Sequence, residues 1–152
     1  MEPCVEARPL CPPGIREEME ARMNSPAWQR VAEIETMLAS MPQVELPVKH
    51  RFTPGLYARE IFMPAGTVLT SKIHITEHMF VVSQGSALVW TEEQGVMTVK
   101  APHTGVTPAG TRRVLYILED TIWTTFHPTT ETDVAKIEQD IIFKHEIVGG
   151  QS

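Results

Sequence analysis

The chain has 152 residues, enough for one domain with a hydrophobic core of its own. No run approaches the roughly 18 consecutive apolar residues of a membrane-spanning helix. The net charge of -6 repels phosphate backbones, and the one basic pair, Arg112-Arg113, would point to opposite faces of a strand, so neither a membrane nor nucleic acid is an expected partner.

Residues 1–14 carry prolines and acids where a secretory signal would carry basic and apolar residues. They read as an irregular arm with free thiols at Cys4 and Cys11, and a cytoplasmic location is expected. Residues 15–41 predict helix. IREEMEARM is rich in helix formers, and Ser25-Pro26 then supplies an N-cap and a proline at the first helical position. Trp28, Val31, Ile34, Leu38 and Met41 recur at three- and four-residue spacing, an apolar stripe that should pack on the rest of the chain or on a second copy.

From residue 45 the pattern changes to short β-branched and aromatic runs. Strands are expected at 56–63, 68–74, 78–83, 86–91, 97–100, 105–107, 113–118 and 121–127. Pro64-Ala65-Gly66, Gln84-Gly85, Glu93-Gln94-Gly95, Pro102, Pro108-Ala109-Gly110 and Glu119-Asp120 supply turn signals between them. About eight short strands at near-regular spacing predict an all-β jelly roll or barrel. Residues 131–142 predict a short helix after a threonine-rich cap. The expected organisation is an N-terminal arm with helices over 1–44, a barrel over 45–128, and a C-terminal helix and tail over 129–152.

Two segments carry a resemblance. Gly66-TVLTSKI-His74-ITE-His78-MFVVSQ-Gly85, followed by Pro108-Ala109-Gly110-Thr111-Arg112-Arg113, resembles the two motifs of the cupin superfamily, the RmlC-like jelly rolls. The same runs, with the later LYILEDTIWTTFHPT, look like small cupin-like proteins of tailed bacteriophages and prophages. The resemblance implies a single jelly-roll barrel serving a small molecule, with isomerase, epimerase or metal-dependent oxygenase chemistry if the protein is an enzyme. By analogy it also implies a homodimer. Its four ligand positions fall on Lys72, His74, His78 and Arg113, so this sequence keeps one family ligand, exchanges another for histidine and puts cations at two.

His74, His78 and His127 are therefore the candidate metal ligands. Neutral imidazoles suit Zn, Fe, Ni or Mn, and His127 shares a strand face with Trp123 and Thr125. Lys72 and Arg113 are expected inside the barrel beside them. Two buried cations need an acid such as Glu60, or an anionic ligand, and guanidinium grips carboxylate or phosphate bidentately. A register slip of one residue would turn Arg112 inward instead. Tyr57 and Trp123, with Phe80 and Trp90, are candidate cavity walls. Two functions stay open: a barrel binding a small anionic molecule, with or without a divalent transition metal, and a non-enzymatic scaffold or interaction protein with a degenerate site.

Overall fold

The computed structural model describes residues 10–144. Cys4 and residues 145–152 of the expected tail lie outside them, and Cys11 carries an exposed free thiol. The described chain opens with helices α1 (Ile15–Arg22) and α2 (Pro26–Ala39). Strands β1 (Val48–Thr53), β2 (Leu56–Met63), β3 (Val68–Thr70), β4 (Ile73–His74), β5 (His78–Thr91), β6 (Gly95–Lys100), β7 (His103–Thr107) and β8 (Arg113–Pro128) follow. Helix α3 (Val134–Ile141) and the two-residue strand β9 (Ile142–Phe143) close it. The architecture is an all-β, antiparallel jelly-roll barrel with short helices at both ends, as the turn spacing predicts.

Two long strands build the barrel. β5 and β8 pair with each other, and each serves both walls. The first half of β5 pairs with β7 and its second half with β6. The first half of β8 pairs with β3 and its second half with β2, which β1 flanks. The sequence predicts four shorter strands here, broken at Gln84-Gly85 and Glu119-Asp120, and the structure corrects this. Both signals mark a corner inside a continuous strand. Between Val82 and Ala87 the β5–β8 register shifts. The buried positions are even-numbered before it (His78, Phe80, Val82) and include odd-numbered Ala87, Val89 and Thr91 after it. A bulge bends a strand and exchanges its faces in this way.

Other boundaries move for local reasons. The expected strand 68–74 divides into β3 and β4, and β4 leaves the barrel to pair with β9. β1 escapes the sequence pattern because VKHRFT is exposed along almost its whole length; only its pairing with β2 defines it. Helix α3 starts at Val134 rather than 131, capped by Asp133, whose carboxylate accepts from the Ala135 N–H at 3.0 Å.

The N-terminal helices close one side. Ser25 caps α2 by accepting from the Trp28 N–H, with Pro26 at the first helical position. Trp28 joins Ile15, Met19, Ile73, Ile75 and Phe143 in one buried cluster, so the predicted stripe packs on the chain's own β elements. Of its other members, Val31 is buried, Ile34 and Leu38 are half-buried, and Met41 is exposed. Glu35, on the same face, meets Arg112 at 2.7 Å with both side chains buried. From the end of α2 the segment Ser40–Pro47 crosses to β1 along the barrel opening. A second cluster, including Phe80, Val82, Val89 and Ile117, fills part of the barrel interior. Beside it a cavity of about 740 Å³ opens between the barrel wall, the end of α2 with the segment after it, and α3.

Candidate ligand-binding site

Strand alternation sets the cavity's inner surface. On β8 the odd-numbered residues Arg113, Leu115, Trp123, Thr125 and His127 line it. Register then aligns partners across the sheet. Tyr57 of β2 lies opposite His127, Arg59 and Phe80 lie opposite Thr125, and Ile61 lies opposite Trp123. His78 sits at the start of β5, paired with Thr107 of β7. His74 reaches the same space from β4.

The three candidate histidines come together. Ring centroids are 4.5 Å apart for His74 and His78, 4.8 Å for His78 and His127, and 5.1 Å for His74 and His127. All three are held neutral. Burial, reinforced by the neighbouring imidazoles and by Arg59 and Lys72, lowers His74 to about 2. Burial lowers His78 to about 4, with Arg113 adding to the effect, and His127 to about 3. His78 Nδ1–H donates to the Thr76 carbonyl at 3.3 Å, which leaves the lone pair on Nε2. His127 Nε2 shares a hydrogen bond with Thr125 Oγ1 at 2.9 Å, whereas its buried Nδ1 has no hydrogen-bond partner among the described residues. As the rings stand, no group of three His, Cys, Asp or Glu side chains among the described residues gathers its ligating atoms for a metal ion.

Arg113 faces the cavity, as the motif register predicts. Its guanidinium lies 5.3 Å from the Phe80 ring centroid and 5.9 Å from that of Trp123, and those two rings stack at 4.7 Å. No carboxylate among the described residues forms a salt bridge with it, and burial pulls its pKa down to about 10, against the smaller opposing effect of the Glu93 carboxylate. Lys72 also lines the cavity, but Glu138 of α3 neutralises it at 3.0 Å. Glu60, the acid expected to serve this role, faces away and pairs with Arg51 at 3.1 Å. Arg112 does not exchange places with Arg113: both are inward of the surface, but Arg112 turns under α2.

Tyr57 and Trp123 line the cavity as expected; Phe80 lies buried behind Arg113, and Trp90 is half-buried outside the cavity. Two contributors were not legible in the sequence. Arg59 is one, a third cation in the lining, on a strand whose alternation could have marked it inward once Tyr57 was so placed. The other is His50 of β1, whose Nδ1 shares a 2.7 Å hydrogen bond with the Tyr57 hydroxyl, itself held protonated by burial. His50 lies on the strand that carries no apolar pattern, so no sequence signal pointed to it.

No family model and no curated protein sequence matches the chain. Solved structures do resemble it. KdgF from a Halomonas species is 23% identical at a TM-score of 0.46, over 58% of this chain and 86% of that one. A cupin superfamily protein from Desulfitobacterium hafniense is 10% identical at 0.47, over 60% and 86%. An RmlC-like cupin with a double-stranded β-helix fold from Methanocaldococcus jannaschii is 12% identical at 0.45, over 59% and 85%.

Proposed function

We propose that the barrel interior binds a small anionic molecule. The observation that carries this reading is how the lining's charges pair: Glu35 meets Arg112, Glu138 meets Lys72 and Glu45 is exposed, whereas among the described residues Arg113 and Arg59 enter the cavity without salt-bridge partners, beside three imidazoles. A half-buried guanidinium with no carboxylate beside it favours an anion, and a carboxylate or phosphate meets it bidentately. The neutral histidines, the Thr125 hydroxyl and Tyr57 add hydrogen-bonding groups that tolerate an anion without competing for it.

A divalent transition ion (Zn, Fe, Ni or Mn) is part of the same reading. Clustered neutral imidazoles and the partnerless His127 Nδ1 have the donor chemistry such an ion needs, after reorientation of the rings. His74, His78 and His127 would hold it, and it would supply Lewis-acid polarisation of a bound oxygen. Two measurements test the two parts. Elemental analysis of purified protein and of His74→Ala reports metal, which should drop in the variant. Thermal melts with inorganic phosphate report the anion; phosphate should raise Tm in the wild type and lose most of that effect in Arg113→Gln. A phosphate effect equal in both proteins would sink the anion reading.

A second reading, a scaffold or interaction protein of a phage particle or against a host factor, is favoured by the outer face of the sheet. Tyr116 and Val96 stand outward there at 45% and 66% exposure, beside half-buried Trp90. Contiguous exposed apolar surface of this kind marks association. A homodimer, in a host or bacterial cytoplasm, would cover it. Sedimentation should then show a dimer that Tyr116→Glu converts to monomer; a wild-type monomer at all concentrations removes this reading.

A further inference from the structure

We infer that the cavity's anion is the head of a medium-chain aliphatic carboxylate, whose chain lies between the barrel wall and the segment Ser40–Pro47. The inference rests on the anion reading above and adds the body of the ligand. Three observations carry it. The first is size. At about 740 Å³ the cavity falls in the range of roughly 300–1,000 Å³ typical of sites for whole organic molecules, and an inorganic anion would leave most of it unfilled.

The second is the polarity gradient. Cations and imidazoles are joined on the cavity surface by an aliphatic wall, with Leu38 from the end of α2, Met41, Val44 and Leu46 from the crossing segment and Ile61 and Met63 from β2. Two of these are large apolar side chains left in solvent, Met41 at 52% and Val44 at 45% exposure. Apolar exposure beside a cavity marks surface that a ligand covers. The third is the kind of side chain. Besides the imidazoles, Trp123 and Tyr57 are the aromatic residues of the lining, and aliphatic side chains (four leucines, four isoleucines, three valines and three methionines) far outnumber them. Flexible thioether and branched aliphatic surfaces adapt to a methylene chain, whereas a flat ring would call for aromatic faces. The carboxylate then meets Arg113, with Arg59 and the imidazoles beside it.

Isothermal titration of the full chain with sodium acetate, hexanoate and decanoate, inorganic phosphate and decan-1-ol tests this. Affinity should rise roughly two- to threefold per methylene from hexanoate to decanoate, as burial of each CH₂ predicts once ordering costs are subtracted. Arg113→Gln should weaken decanoate at least tenfold. Met41→Glu, at an exposed position that should not disturb folding, should shrink the ratio of decanoate to acetate affinity at least tenfold. Equal affinity for acetate and decanoate, or phosphate binding with no carboxylate binding, overturns the chain inference and leaves the anion reading standing. Decan-1-ol binding as tightly as decanoate, with no effect of Arg113→Gln, overturns both. So does the absence of any binding by phosphate and by all three carboxylates.

Discussion

At the scale of single residues, the site's chemistry is dominated by what burial does to titratable groups. His74, His78 and His127 sit at about 2, 4 and 3 in the fold, against an ordinary value near 6.5 in the unfolded chain. Between pH 6.5 and 4 the unfolded chain takes up protons that the folded chain refuses. The unfolded state then binds more protons, so stability rises with pH through that window and is complete above it. Each imidazole contributes up to about 1.4 kcal/mol per pH unit there, or about 4 kcal/mol per unit for the three, a large share of a typical domain's 5–15 kcal/mol. Urea-unfolding midpoints should therefore fall steeply from pH 6 to pH 4.5, and His78→Asn should remove about a third of the slope. A flat profile would mean that the fold accommodates protonated imidazoles, and the neutral cluster described above would be wrong. Of these residues, the three histidines, Lys72 and Arg113 were legible in the sequence because motif spacing and strand alternation fix them. Arg59 was missed, although alternation on β2 marks it inward once Tyr57 is placed there. The Lys72–Glu138 pair was hidden too, because its members lie 66 positions apart.

Secondary-structure elements show where local signals mislead. Gln84-Gly85 has the composition of a turn between two strands, and the fold uses it to bend one. Gly85 has φ 86°, and a Cβ there would strike the Asp120 backbone and lie 2.5 Å from Thr121 Oγ1. Gly66 has nearly the same φ, 85°, yet a Cβ there would have open space, with nothing within 4 Å. The pair separates two costs. Gly66→Ala should lose only the left-handed backbone penalty, about 1–2 kcal/mol. Gly85→Ala should lose that and the cost of displacing a buried strand, about 2–4 kcal/mol in all. Equal losses, read from denaturant melts, would show that the β5–β8 corner can relax. Composition alone could not say whether a glycine ends a strand or turns it. That depends on β8 passing behind it, a contact between residues some 35 positions apart in sequence.

For the whole molecule, the question is whether the helices are appendages to the barrel or part of it. The sequence divides the chain into arm, barrel and tail, and the composition shifts near 45 and 129 are real. The core crosses both boundaries. Ile15 and Met19 of α1, Trp28 of α2, Ile73 of β4 and Phe143 of β9 share one buried cluster. Arg112, between β7 and β8, reaches both the Trp28 carbonyl and the Glu35 carboxylate of α2. A helix attached through a shared core and a buried ion pair should not melt independently. Urea unfolding of a Trp28→Phe background, followed by far-ultraviolet circular dichroism, which includes the helices, and by fluorescence of the barrel's Trp90 and Trp123, should then give coincident transitions. Glu35→Gln keeps the side-chain volume while stripping the carboxylate charge from beside Arg112. Removing one partner of a buried pair costs about 3–5 kcal/mol, so both transitions should move together to lower urea. If the dichroism transition alone moved, the N-terminal helices would be a separate unit docked on a self-sufficient barrel. The crossing segment Ser40–Pro47, which follows α2 directly, would then be free to leave the cavity without unfolding the sheet.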